Sequence, residues 1–241
     1  MAWKVWDKMT RIHINKPDGP QQKYAESSKG KNDGWVCNLY KGCEFGCVLC
    51  KPSIRFVEKS IPLDNISSII RNECKDIKEF RTILLCFECD PYPEDSSATR
   101  EALKTFEEFS DRINIKIMTK GGSRAIRDFD ILKRNNWEFG TSLSFTNNNS
   151  IKKFEYNSTT FESRREAILE AHKQKIRQWL AIEPVVDASQ ALSLAFMFKD
   201  IVDYFTIHYT MGSNDFVSGR KYDNFLKDLN IVLPNHNYII R

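Results

Sequence analysis

The sequence predicts an α/β fold: parallel strands joined by crossover helices, curled as a partial (β/α)6 barrel. Three observations predict it. Six short apolar runs alternate with six amphipathic stretches of helix length. Each apolar run is followed by polar or glycine-bearing residues, where the loops of a parallel sheet carry its chemistry. The 241 residues are ample for one hydrophobic core, while six strand–helix pairs fall short of the eight of a closed barrel. An open doubly wound sheet gives a similar pattern, and periodicity alone does not separate the two.

The elements follow in order. Residues 1–34 read as a basic N-terminal arm, irregular over 13–34, where Lys, Gly, Pro, Gln and Ser dominate. Residues 35–241 read as the core domain. Its strand-like runs are 35–40, 82–87, 113–118, 139–145, 179–182 and 204–209. Between them, 63–77 places Ile66, Ile69, Ile70 and Ile77 at helical spacing, with Asp64 as a candidate cap. The stretch 96–109 brings Ala98, Leu103, Phe106 and Phe109 to one face. Helices over 123–134, 160–175, 188–198 and 215–229 complete the alternation, which argues for parallel strands with crossover connections.

Charge and composition narrow the function. The formal net charge is +4, and residues 1–31, with seven Lys/Arg against Asp7, Asp18 and Glu26, account for all of it. Such an arm suits either phosphate contact or a solvated terminus, and Trp3 and Trp6 lie among its lysines. Residues 1–10 are charged and lack an apolar signal core, and the longest strongly apolar run, 83–87, is far too short to span a bilayer. A soluble cytoplasmic protein with no membrane partner is expected. Seven cysteines, an odd number in a reducing compartment, point to metal ligation, catalysis or buried thiols rather than disulfides.

Three of them stand in one loop. Asn38 to Cys50 follows the first predicted strand and spaces Cys43, Cys47 and Cys50 as Cys-x3-Cys-x2-Cys. Gly42 and Gly46 give this loop the freedom to turn tightly. Thiolates are the usual ligands of iron–sulfur clusters, and three of them leave one iron of a [4Fe–4S] cluster open to a ligand. A structural zinc site wants four ligands, and the other close pair, Cys86 and Cys89, begins inside an apolar run. Cys37 and Cys74 read as structural.

The motif on the loop after strand 1 resembles the radical S-adenosylmethionine (AdoMet) superfamily. The string Asn38–Cys50 is most similar to the spore photoproduct lyase-like, or DNA repair photolyase-like, branch. So are Cys89-Asp90-Pro91-Tyr92, Met118-Thr119-Lys120 and Leu180 to Val186. The resemblance covers roughly residues 35–215. Two positions depart from it: Leu49 stands where an aromatic residue usually precedes the third cysteine, and Lys51 where tyrosine often follows.

The resemblance implies a partial TIM-like barrel of the radical AdoMet type. It implies a [4Fe–4S] cluster on Cys43, Cys47 and Cys50 that cleaves AdoMet reductively to a 5′-deoxyadenosyl radical. It also implies an external electron donor of flavodoxin or ferredoxin type, and hydrogen abstraction from a nucleic-acid lesion or nucleobase. The alternatives are a small metabolite or protein as substrate, or a zinc-binding module without catalysis. Leu49 would offer backbone groups to the adenine. Glu88 and Asp90 lie where family members meet the methionyl ammonium, and Lys120 where one meets the methionyl carboxylate. Ser142 and Ser144 alternate with Leu143 and so share a face, from which they would reach the ribose hydroxyls. Glu183 would bond the ribose or a substrate. Cys89 lies near the cysteine with which spore photoproduct lyases donate a hydrogen atom. His208 reads as a core histidine, and Tyr209, Met211 and Asn214 as possible substrate-face residues.

Overall fold

The structure, a computed structural model, describes residues 34–50, 56–208, 219–234 and 238–240. Residues 1–33 of the basic arm, Lys51, Tyr209, Met211 and Asn214 lie outside the described residues, and Gly34, the arm's last residue, opens the first strand. Each predicted apolar run overlaps a strand: β1 (Gly34–Cys37), β4 (Arg81–Leu85), β5 (Ile113–Thr119), β6 (Glu138–Ser142), β7 (Gln178–Ile182) and β8 (Tyr204–Ile207). A seventh, β9 (Tyr238–Ile240), joins them. The sheet order is β1-β4-β5-β6-β7-β8-β9, with all pairings parallel. Strand order never reverses along the sheet, as it would at the switch point of a doubly wound fold. Each strand is added beside the one before it in a single direction, and the sheet curls into a half-barrel.

The helices are α1 (Ile66–Cys74), α2 (Ser97–Phe106), α3 (Phe129–Asn135), α4 (Asn148–Phe154), α5 (Phe161–Gln174), α6 (Ala188–Phe198) and α7 (Gly219–Val232). Helix α1 starts after Asn65, in the left-handed region at φ 57°, with no side-chain cap, so Asp64 does not serve as one. The predicted helix 123–134 opens as a 3-10 helix, Gly122–Asp128, before α3. The short α4 and the two-residue ribbon of β2 (Tyr40–Lys41) and β3 (Ile61–Pro62) have no counterpart in the periodicity.

Alternation assigns the two faces of the sheet. Ile83, Leu85, Ile115, Ile117 and Phe139 join α1–α3 in one buried cluster, with the Phe129 and Phe139 rings 4.9 Å apart. Leu180, Ile182, Phe205 and Ile207 join α5–α7 in a second. Phe106, Phe129, Phe139, Phe198 and Phe205 are fully buried, each contributing about 1.5–3 kcal/mol by leaving water. The intervening residues face the concave side.

That concave side is polar near the amino ends of β6–β8. The Lys116 ammonium is 3.0 Å from the Tyr204 hydroxyl and 3.6 Å from Glu138, and Tyr204 donates to Glu138 at 2.9 Å. Lys116 also lies 4.8 Å over the Trp179 ring, which stacks on Tyr204 at 5.7 Å. Gly140 makes room for this stack: a Cβ there would come within 2.3 Å of the indole.

Candidate active site

The cysteine loop leaves β1 through the β2–β3 ribbon and crosses the carboxyl end of the half-barrel. Gly42 and Gly46 take φ of 72° and 59°, which L side chains rarely adopt. At Gly46 the ring of Phe56 closes in as well, 3.1 Å from where a Cβ would stand. Neighbouring segments hold the loop. Val48 N–H donates to the Phe154 carbonyl at 2.9 Å, and Asn157 N–H to the Phe45 carbonyl at 2.9 Å. The Glu44 carboxylate accepts the amides of Ser60 and Glu94.

The three thiols are free. A Cys47–Cys50 hydrogen bond raises the Cys47 pKa, together with burial. The same bond lowers Cys50 to about 7, aided by Lys120. Cys43 is pushed up to about 12, first by burial and then by Asp90, with Cys50 among the smaller influences. The thiols therefore sense one another and the charges at the barrel mouth. Among the described residues, no three His, Cys, Asp or Glu side chains are arranged to hold a single metal ion. A cluster with one thiolate per iron does not require its three sulfurs to meet at one point, and the donor chemistry of the loop suits it.

Residues 86–92, after β4, are pinned from two sides. The Asn38 side-chain oxygen accepts the Glu88 amide at 2.9 Å and lies 4.0 Å from the Cys89 sulfur. Its amide nitrogen donates to Glu88 at 3.4 Å. Asp90, 8% exposed, accepts from the Tyr92 amide, the Lys120 amide and the Thr119 hydroxyl, at 2.8, 2.8 and 2.5 Å. Burial still holds its carboxyl above the usual range, against those hydrogen bonds. Both Asp90 oxygens thus tie this loop to the end of β5. Cys86 and Cys89 share a thiol hydrogen bond; Cys86, with burial as the first cause, is raised far above a normal thiol. Cys37 and Cys74 are fully buried in the core, as their structural reading expects.

At the ends of β5 and β6 the site is charged. Lys120 donates to the Ser142 hydroxyl at 2.7 Å and pairs with Glu155 at 3.0 Å. Glu155, 2% exposed, pairs also with the fully buried Arg164 at 2.6 Å. Arg164 donates to the Ser142 carbonyl at 3.0 Å. Burial alone would lower Lys120 and raise Glu155, but their mutual attraction outweighs it, helped by Arg164 at Glu155, and each shifts toward its charged form.

Further along the rim, buried polar atoms lack partners. The hydroxyls of Ser144, after β6, and Thr206, on β8, accept and donate no hydrogen bond. One Glu183 carboxylate oxygen, after β7, is likewise buried and unpaired. Thr206 alternates with Phe205 and Ile207 of the helix-side cluster, so it faces the concave side; it pairs in register with Ala181, which pairs with Ser142. Unpaired buried polar groups are rare in folded proteins and mark places where a ligand or water completes the bonding. The structure therefore brings Ser142, Ser144, Glu183 and Lys120 to adjacent strand ends. Leu49 packs partly buried against the β7–β8 core, and His208, half-buried after β8, pairs its backbone with Ile182 and Val185. Asn38 enters the sequence reading only as the first residue of the cysteine string, and Glu155, Arg164 and Thr206 have no site role there. No motif marks the last three; only Glu155 and Arg164 carry charge, and charge alone does not distinguish them from surface residues.

No protein-family model and no curated protein matches the sequence. Solved structures do match. One is a spore photoproduct lyase variant with bound AdoMet and dinucleoside spore photoproduct: TM-score 0.60, 13% identity, covering 93% of this chain and 64% of that one. Another is anSMEcpe with bound AdoMet, at 0.59, 16%, 86% and 62%. A radical SAM methyltransferase from Sphaerobacter thermophilus matches at 0.56, 13%, 86% and 66%. The chain spans less than two thirds of the length of each. At this identity the likeness is one of fold, and the fold is the partial barrel of radical AdoMet enzymes.

Proposed function

We propose that this protein is a radical AdoMet enzyme of the spore photoproduct lyase-like branch. The observation that carries the reading is the placement of the three-thiol loop. It lies at the carboxyl end of a parallel half-barrel, the end where such sheets bind ligands, beside a rim of buried, unpaired polar atoms. Cys43, Cys47 and Cys50 would hold a [4Fe–4S] cluster. When bound, that group supplies one electron to the sulfonium of AdoMet, which parts into methionine and a 5′-deoxyadenosyl radical.

The chain's own residues bind and orient. The Ser144 hydroxyl and the unpaired Glu183 carboxylate oxygen supply a group able to donate or accept and an acceptor for ribose hydroxyls. Lys120 and Ser142 put a cation and a hydroxyl beside them for the methionyl carboxylate. Glu88, held by Asn38, presents an acceptor for the methionyl ammonium, and Asp90 fixes the frame between the β4 and β5 loops. Leu49 presents backbone groups to the adenine. Cys89, beside Cys86 and Asn38, is the candidate hydrogen-atom donor to a product radical. The electron comes from an external carrier of flavodoxin or ferredoxin type. The substrate we favour is a nucleic-acid lesion or nucleobase, which the fold likeness to a lyase holding a dinucleoside photoproduct supports.

Anaerobic reconstitution tests the reading. Iron near four per chain, with 5′-deoxyadenosine formed on adding dithionite and AdoMet, is the expected result. Zinc in place of iron, or iron without AdoMet cleavage, overturns it. A lesion-bearing dinucleotide consumed in preference to its undamaged counterpart supports the substrate assignment; equal inertness of both removes it.

A further inference from the structure

Lys120, Glu155 and Arg164 form a buried network of two cations and one anion. Glu155 spends one oxygen on each cation, at 3.0 and 2.6 Å. The residue also belongs to the cysteine loop's support: its backbone bridges to Cys47, and the preceding carbonyl, of Phe154, receives the Val48 amide. One residue thus touches the thiol loop through its main chain and the Lys120 ammonium through its side chain.

We infer that Glu155 is a positioning residue that fixes the Lys120 ammonium beside the cysteine loop, so that this network sets the reduction potential of the group Cys47 and Cys50 hold. The inference rests on the radical AdoMet reading. An electron added at the loop is stabilised by a nearby cation and opposed by a nearby anion, most strongly where water is excluded. Net charge and hydrogen bonding around a cluster are among the factors that set its potential. The network carries one surplus positive charge at this point. Asp90, the other buried carboxylate near Lys120, accepts its main-chain amide and keeps its three hydrogen bonds whatever stands at 155.

Opposite signs are therefore expected from the two ends of the pair. Glu155→Gln removes the anion and keeps the shape, so the midpoint potential rises. Lys120→Met removes the cation and lowers it. The double variant returns close to the wild-type value. The measurement is an EPR-monitored redox titration of the reconstituted protein without AdoMet, so turnover plays no part in the readout. Iron content and circular dichroism accompany each variant. Unmoved potentials, or shifts in the same direction, overturn the inference and leave Glu155 a structural strap. If Glu155→Gln does not fold, Lys120→Met decides alone: a lowered potential supports the inference, an unmoved one overturns it. A wild-type protein that takes up no iron defeats the functional reading and this inference together; a cluster at an unmoved potential defeats only the inference.

Discussion

Cys43, Cys47 and Cys50 differ in their surroundings, Cys43 buried and the other two half-buried, yet the proposed cluster needs all three. Replacing any one with alanine should bring iron well below four per chain and abolish 5′-deoxyadenosine formation. Iron analysis and chromatography of the three variants check this; full activity in any one would remove that residue from the ligand set. Asp90 answers to a different test. Its oxygens accept three hydrogen bonds, and Asp90→Asn turns one acceptor into a donor facing donors, a cost of about 1–3 kcal/mol. The sign of its pH dependence follows from burial. Because the folded carboxyl binds its proton more tightly than the unfolded one, its contribution is most favourable below pH 3.8 and declines as pH rises through the raised value. Wild-type stability relative to the Asn variant should therefore be greater near pH 3.5 than near pH 6, by urea titration at both. These two kinds of residue also differ in legibility. The thiols announce themselves by spacing. The hydrogen bonds that make Asp90 a brace come from Thr119, Lys120 and Tyr92, and no local pattern shows that these would converge.

At the scale of the element, Gly140 decides how β6 meets β7. The indole of Trp179 lies where a Cβ would stand, at 2.3 Å from aromatic ring atoms that are stacked on Tyr204 and cannot swing aside. Gly140→Ala should cost at least about 1–3 kcal/mol by overpacking, read as a lower denaturation midpoint, with loss of the Trp179 environment in near-ultraviolet dichroism. Helix α6, Ala188–Phe198, has the bounds its apolar periodicity predicts, and Asp187 caps it by accepting the Ser189 and Gln190 amides. Helix α4 was not legible. Its seven residues include one buried side chain, Ile151, so no stripe forms, and its role is to carry the Phe154 carbonyl and Glu155 to the cysteine loop. Strand β9 is shorter still, three residues, with Ile239 half-exposed on an edge, and its composition alone does not set it apart from a loop. Long buried runs declare themselves; short elements placed by their partners do not.

Across the whole molecule, the two large hydrophobic clusters lie on the helix side of the sheet, a small one of Val36, Leu84, Phe87 and Met118 lies on the concave side, and the cysteine loop lies at the rim. Protein hydrogen bonds to Phe154, Asn157 and Ser60 hold that loop. Removing iron from the reconstituted protein with a chelator should therefore leave the far-ultraviolet spectrum and a cooperative melt in place, while the cluster's visible absorbance disappears. Collapse of the secondary structure on chelation would show that the loop is part of the folding core. Among the described residues no helix is long and apolar enough to cross a membrane.

The strict order of the sheet has a consequence for how such a protein changes over generations. Every new strand is laid on the outer edge beside the strand before it, and none is inserted between two that are already paired. A strand–helix unit gained or lost at the β9 side alters one edge and leaves the β1–β8 register, with the cysteine loop and its rim, where it was. Growth at that margin is a route along which descendants of this fold can acquire new surfaces for new substrates while the inherited chemistry stays untouched.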